Sequence, residues 1–180
     1  MLWEYSFLSF LQAHQTAGMS SFMAFLSFLG YADLLWILLG ILLLVPRRSR
    51  KTGMQVLAAL AVTFVLCNLL LKPLFDRPRP FEVYQALIPL FDRPDSFSFP
   101  SGHAMAAFSA ATALFCNEKA GGTAALLLAV LIGFSRMYNQ VHYPTDVLAG
   151  MVIGIGVGLL VHSLFTRRKK TINEPKKSRA

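Results

Sequence analysis

The stretch from Val147 to Thr166 reads V-L-A-G-M-V-I-G-I-G-V-G-L-L-V-H-S-L-F-T and holds no Asp, Glu, Lys or Arg over 20 residues. At about 1.5 Å of rise per residue, roughly 20 helical residues cross a hydrocarbon core of about 30 Å. Working outward, Thr52 to Leu71 and Ser96 to Asn117 are equally free of charge. Lys119 to Arg136 is uncharged between its ends, and Leu34 to Pro46 forms a further apolar run. A soluble 180-residue domain can bury one such helix but not this set, and no amphipathic helices remain to surround them. The predicted fold is all-α: a polytopic transmembrane bundle of about five or six membrane helices. Composition agrees, with 55% hydrophobic and 14% charged residues against roughly 25% charged in soluble domains.

The net charge of +8 is concentrated in two places. Arg47, Arg48, Arg50 and Lys51 form one patch, and from Arg167 onward seven basic residues face one acid, Glu174. Elsewhere six basic residues stand against eight acidic ones, so no basic face runs through the fold. That excludes a nucleic-acid-binding domain. By the positive-inside rule both patches are expected in the cytoplasm. Spans over Gly53 to Leu71, Gly102 to Asn117, Gly121 to Ser135 and Asp146 to Phe165 return the tail to the side of the first patch. Residues 1–166 are thus read as one membrane domain and 167–180 as a basic, disordered cytoplasmic tail that rests against anionic headgroups.

Trp3 to Leu11 reads as an interfacial or partly inserted helix and not as a cleaved leader, because Met1 to Phe10 has no basic start and carries Glu4. Met19 to Leu29 and Leu34 to Val45 form one broken span or two. Gly150, Gly154, Gly156 and Gly158 in the last span are expected to permit close helix packing. Cys67 and Cys116 have no metal or disulfide spacing and read as small core hydrophobes.

The remaining ionisable residues gather at one end of this bundle. Lys72, Asp76, Arg77 and Arg79 follow the second apolar run, His103 opens the third, Arg136 closes the fourth, and His142 and Asp146 precede the last. Charges at span boundaries are costly unless paired, and mark a functional site by default. The chemistry points to an anion. Pro100-Ser101-Gly102-His103 opens a helix, with Ser101 as N-cap, Gly102 allowing close approach, and first-turn N–H groups suited to a phosphate. Arg forks and the Lys72 ammonium add positive charge.

Lys72 to Pro80 reads K-P-L-F-D-R-P-R-P, followed by P-S-G-H at Pro100 to His103 and S-R-M-Y-N-Q-V-H-Y-P-T-D at Ser135 to Asp146. This resembles the three-part signature of the type 2 phosphatidic acid phosphatase superfamily: Lys, six residues, Arg-Pro; Pro-Ser-Gly-His; then Ser-Arg, five residues, His, three residues, Asp. All three parts match in type, order and spacing. The resemblance implies an acid-phosphatase-like helical core and a small bacterial lipid phosphatase with an extracytoplasmic site in the cell membrane. It implies His142 as nucleophile, Asp146 as its orienting partner and His103 as general acid. Lys72, Arg79, Arg136, Ser101 and Gly102 would surround the phosphoryl oxygens. Of the two R-P pairs, the spacing selects Arg79. Arg77 is left to pair with Asp76 or to contact a second phosphate.

No cofactor is implied. A His103, His142 and Asp146 metal site is disfavoured, since three cations around it oppose a divalent ion. The expected partners are the bilayer and a lipid phosphate or diphosphate: undecaprenyl diphosphate, phosphatidylglycerophosphate or phosphatidic acid. Some polyprenyl diphosphatases of this superfamily have Asp where Gly102 stands, which leans toward phospholipid monoesters. Phe81, Tyr84, Phe91 and Phe97 in the loop before P-S-G-H read as interface anchors or the mouth of a lipid cleft. The alternative is a transporter or binding protein for organic phosphates. That reading calls for ionisable groups near mid-span, and only His162, near the cytoplasmic end, comes close.

Overall fold

Residues 102–117, G-H-A-M-A-A-F-S-A-A-T-A-L-F-C-N, combine small side chains with good helix propensity, so other helices can approach from every side. In the computed structural model, which describes residues 2–30, 33–91 and 93–173, this segment is helix α7 (Gly102–Asn117). Every residue from Ala104 to Leu114 is buried. Around it pack α4 (Arg50–Phe64), α8 (Lys119–Tyr138) and α9 (Pro144–Asn173). Before them in the chain lie α1 (Leu2–Ala13), α2 (Ala17–Leu29) and α3 (Leu34–Leu44). A π-helical turn, Val65–Leu71, extends α4 into the short α5 (Lys72–Phe75), and α6 (Pro80–Val83) begins the long connection to α7.

Among the described residues the fold is helical, and three helices are long and apolar enough to cross a membrane: Arg50–Val83, Lys119–Tyr138 and Pro144–Arg167. The pair α2 and α3, bent by 50° at its break, makes a fourth if it crosses as one. The expected five or six spans exceed this count for a physical reason. Helix α7 has 16 residues, about 24 Å of rise. It is jacketed by protein and need not meet the length or apolarity that lipid imposes. Met19 to Leu29 and Leu34 to Val45 are likewise each too short to span alone.

Close packing of α9 on α7 depends on a stripe of glycines four residues apart. A Cβ on Gly154 would sit 2.4 Å from the Met105 carbonyl oxygen, and one on Gly150 2.7 Å from that of Ser101. Gly158 meets Thr112 at 2.7 Å. Gly156 departs from the expectation: nothing lies within 4 Å of its Cβ position, because it is half a turn off the stripe. Glu118 alone links α7 to α8 and caps the latter by accepting from the Ala120 and Gly121 N–H groups. Helix α9 continues past the expected tail boundary at 166 to Asn173, and 174–180 lie outside the described residues.

Candidate active site

Lys72, Arg79, Gly102, His103, Arg136 and His142 line one cavity of about 290 Å³ at the end of the bundle where α4, α7 and α9 begin or end near the α6 loop. Each arrives by a different route. Lys72 emerges where the π-helical turn gives way to α5, and its Nζ donates to Ser96 Oγ at 2.9 Å. Arg79 is the N-cap of α6, whose Glu82 carboxylate accepts from the Arg79 backbone N–H at 2.6 Å. Its guanidinium is buried. Nε donates to the Ser96 carbonyl at 2.7 Å and Nη1 to the Val141 carbonyl at 2.8 Å, leaving Nη1 3.4 Å from His142 Nε2. Arg136, in the last turn of α8, is buried and donates to Ser27 Oγ on α2. Basic residues here also suit the carbonyl end of that helix.

The start of α7 forms another part of the wall. Ser101 holds the N-cap position in an extended conformation, yet its side chain makes no capping bond. Its Oγ is fully buried without a hydrogen-bond partner, and Ser101 is not among the residues that line the cavity; Gly102 takes that place. The Ser101 N–H donates instead to the Asp146 carbonyl at 3.0 Å, which ties the start of α7 to the start of α9. His103 Nε2 is likewise buried and unpartnered at the cavity.

His142 lies in the turn between α8 and α9. Its Nδ1 is 3.6 Å from Asp146 Oδ2, a contact too long for a hydrogen bond. Asp146 is fully buried behind the ring, and Oδ2 accepts from Ser98 Oγ at 2.5 Å and from the Tyr143 N–H at 2.9 Å. Burial pulls the His142 pKa down from 6.5 to about 4, since it penalises the charged ring. Asp146 opposes that shift, while Arg79 and Arg136 reinforce it. The sequence left this contest open; burial and the cations win, and His142 is a neutral imidazole at pH 7.

Arg77 does not line the cavity and does not pair with Asp76. It turns to the back of the site, where Nη1 donates to Asp146 Oδ1 at 2.5 Å and Nη2 to Glu4 Oε2 at 2.8 Å. Sequence reasoning passed over Glu4 and Ser98 as well as Asp33, Phe64, Asn68, Pro94 and Ser96, which complete the cavity wall. Of these Glu4 and Asp33 carried a signal: each is a lone carboxylate in an otherwise uncharged segment. Among the described residues no three His, Cys, Asp or Glu side chains converge as a metal site. The arrangement offers a neutral imidazole, a second imidazole and three cations on one cavity, a set suited to attack on a phosphoryl group.

The model of the family described as the PAP2 superfamily matches residues 52–170. Over 148 residues the chain is 33% identical to an undecaprenyl-diphosphatase of Sulfolobus acidocaldarius, covering 82% of this chain and 71% of that one. The crystal structure of Aquifex aeolicus LpxE superposes with a TM-score of 0.77 at 30% identity, covering 88% of this chain and 94% of LpxE. A transmembrane PAP2-type phosphatidylglycerolphosphate phosphatase from Bacillus subtilis gives 0.76 at 27% identity, over 91% and 85% of the two chains.

Proposed function

The chain belongs to the PAP2 superfamily and is a membrane lipid phosphatase of that class, and on that premise we propose that it hydrolyses lipid phosphate monoesters and diphosphates through a phosphohistidine on His142. The observation that carries this reading is the meeting of His142, His103, Lys72, Arg79 and Arg136 at one cavity. His142 Nε2 faces the cavity beside Arg79, while Nδ1 points back toward Asp146. Nε2 attacks phosphorus as the bond to the lipid oxygen breaks, and His103 gives that oxygen its proton. Asp146 stabilises the positive charge that then resides on the His142 ring. Water, deprotonated by His103, next attacks phosphorus; the N–P bond breaks and inorganic phosphate leaves. Lys72, Arg79, Arg136 and the Gly102 N–H neutralise the phosphoryl oxygens throughout, the task a divalent ion performs in other phosphoryl-transfer sites.

The finer topology belongs to the same proposal. The bent α2–α3 pair, α4, α7, α8 and α9 each cross a bacterial cell membrane, with α7 shielded from lipid and α1 lying in the interface. The cavity then opens on the extracytoplasmic side, and the Arg47–Lys51 patch and the tail face the cytoplasm. Phe64, on the cavity wall and largely exposed, sits where a lipid chain leaves the site for the bilayer. Gly102 favours phospholipid monoesters, whereas the diphosphatase relative favours the polyprenyl carrier, so both belong in the test. Purified protein in detergent is given phosphatidylglycerophosphate, phosphatidic acid and undecaprenyl diphosphate, with and without chelator. We expect phosphate release from at least one lipid, retained under chelation and lost in His142→Ala. Release that requires Zn²⁺ or Mg²⁺, or that persists in His142→Ala, defeats the mechanism. Tight lipid-phosphate binding with no release by wild type favours the transporter reading.

A further inference from the structure

Glu4 lies in α1, outside the residues 52–170 that the family model matches, yet it reaches the back of the active site. Its carboxylate is fully buried. Oε2 accepts from Arg77 Nη2 at 2.8 Å, and Oε1 accepts from Thr145 Oγ1 at 2.6 Å. Arg77 stands between Glu4 and Asp146 and lies over the Tyr143 ring with 3.9 Å to its centroid. Asp146 in turn backs His142. Helix α1 is fixed independently of this contact. Gln12 donates to the Ala86 carbonyl and accepts from the Ile88 N–H, both at 2.8 Å, and just past the helix Gln15 Nε2 donates to the Tyr138 carbonyl at 2.9 Å. Glu4 is thus brought to Arg77 by a helix that is already docked.

Two carboxylates share one guanidinium here, and the arithmetic of charge matters. Arg77 with Asp146 alone is a self-neutralised pair, which leaves Asp146 little net field at His142. Adding Glu4 makes the trio of two buried carboxylates and a part-buried guanidinium net negative, so part of the Asp146 charge stays available to the ring. We propose that Glu4 is a positioning residue: it holds Arg77 and balances its charge so that Asp146 can stabilise the cationic ring formed when His142 attacks phosphorus. This rests on the nucleophilic role of His142 proposed above. The charged or titratable groups facing His142 are Asp146 from α9, Arg79 at the start of α6, Arg136 from α8, His103 from α7 and Lys72 from α5. None of them changes in the variants that follow.

The test compares full-length wild type, Glu4→Gln and the double variant Glu4→Gln/Arg77→Gln in detergent. Glu4→Gln preserves shape but removes the charge. It is expected to lower kcat by about three- to tenfold with KM little changed. It is also expected to displace the His142 ring titration, followed by NMR, to lower pH. The double variant removes one positive and one negative charge and so restores the net charge beside the ring. The titration should return toward that of wild type, and kcat should exceed that of Glu4→Gln. A merely structural role predicts additive losses, with unfolding temperature falling and the titration unmoved; that result overturns the proposal. The NMR readout needs no substrate, so it judges Glu4 even where no lipid in the panel is hydrolysed.

Discussion

The two ends of the α4–α7–α9 core are made by the same helices and differ in what their polar groups leave undone. At the far end Gln55 of α4, Asn117 of α7 and His162 of α9 meet: Gln55 Oε1 accepts from Asn117 Nδ2 at 2.6 Å and lies 3.2 Å from His162 Nδ1. This cluster consists of two amides and an imidazole, and its polar atoms largely answer one another. At the site end Lys72, Gly102, His103 and Asp146 extend the same three helices, and two further cations join from α6 and α8. There His103 Nε2 and His142 Nδ1 are buried without partners. Burying an unanswered polar atom such as His103 Nε2 on a cavity lined by three cations costs stability unless a ligand completes it. Polarity inside a membrane bundle is therefore not itself a sign of function; charges gathered on one cavity beside an unanswered imidazole are.

The largest effects should come from breaking the site end. His142→Ala removes the attacking nitrogen and is expected to reduce turnover by about 10⁴-fold or more, read as phosphate release. Arg79→Ala removes a buried donor beside that nitrogen and should lower kcat by about 10²–10³-fold. Arg77→Ala removes support behind Asp146 and leaves the cavity wall intact, so it should cost about tenfold in kcat, with KM spared. If Arg77→Ala proves more damaging than Arg79→Ala, the division between cavity wall and rear support is wrong.

That ranking also shows how far the sequence could be read. The six-residue spacing of the resembled signature singled out Arg79 over Arg77, and the structure places Arg79 on the cavity wall and Arg77 behind Asp146. The helical, membrane-spanning fold followed from the uncharged runs, because lipid allows few backbone solutions. The number of spans did not follow, since a helix wrapped by protein, as α7 is, escapes the length rule that lipid imposes. Ser101 was expected to cap α7 and face the phosphate, but local sequence cannot tell a cap from a buried hydroxyl. Glu4 stood out as a lone carboxylate, but its place was beyond reach for a different reason: its partners Arg77 and Thr145 lie about 70 and 140 positions away, and no local pattern encodes such a meeting.

The pH response sharpens the contrast. His142, held at about 4 by burial, stays neutral well below the 6.5 of an exposed histidine. The acid limb of kcat/KM governed by this group should therefore fall near pH 4 and not near 6.5. Stability carries the matching sign. Between about 6.5 and 4 the unfolded chain binds a proton at this residue that the folded chain refuses, so this residue's contribution to stability falls as pH drops through that window. Thermal unfolding followed against pH should lose that component in His142→Ala. An acid limb near 6.5 would show that Asp146 offsets burial and the cations together.

Packing between the two ends gives a middle-sized effect. Gly154→Leu drives a side chain into the Met105 carbonyl and should destabilise by about 1–3 kcal/mol, whereas Gly156→Leu meets open space and should be nearly neutral. Unfolding temperatures of the pair measure the α7–α9 contact separately from the chemistry.

The smallest effect should come from the far end, and it is the one that most directly tests what distinguishes the two. Gln55→Met keeps the volume of a fully buried side chain while removing its oxygen and its nitrogen. Asn117 Nδ2 retains its bond to the Ala113 carbonyl at 2.8 Å, so only His162 loses its partner there. Against that loss stands the removal of Gln55 Nε2, which is buried and unpartnered in the native protein. Two hydrogen bonds are lost and one orphan is relieved, which leaves a net loss of about 1 kcal/mol. No charge is altered and nothing at the cavity moves, so kcat should remain within about twofold of wild type. A tenfold loss of turnover with the fold intact would mean that the far end acts on the chemistry, and that its hydrogen-bonded neutrality is not what separates it from the site.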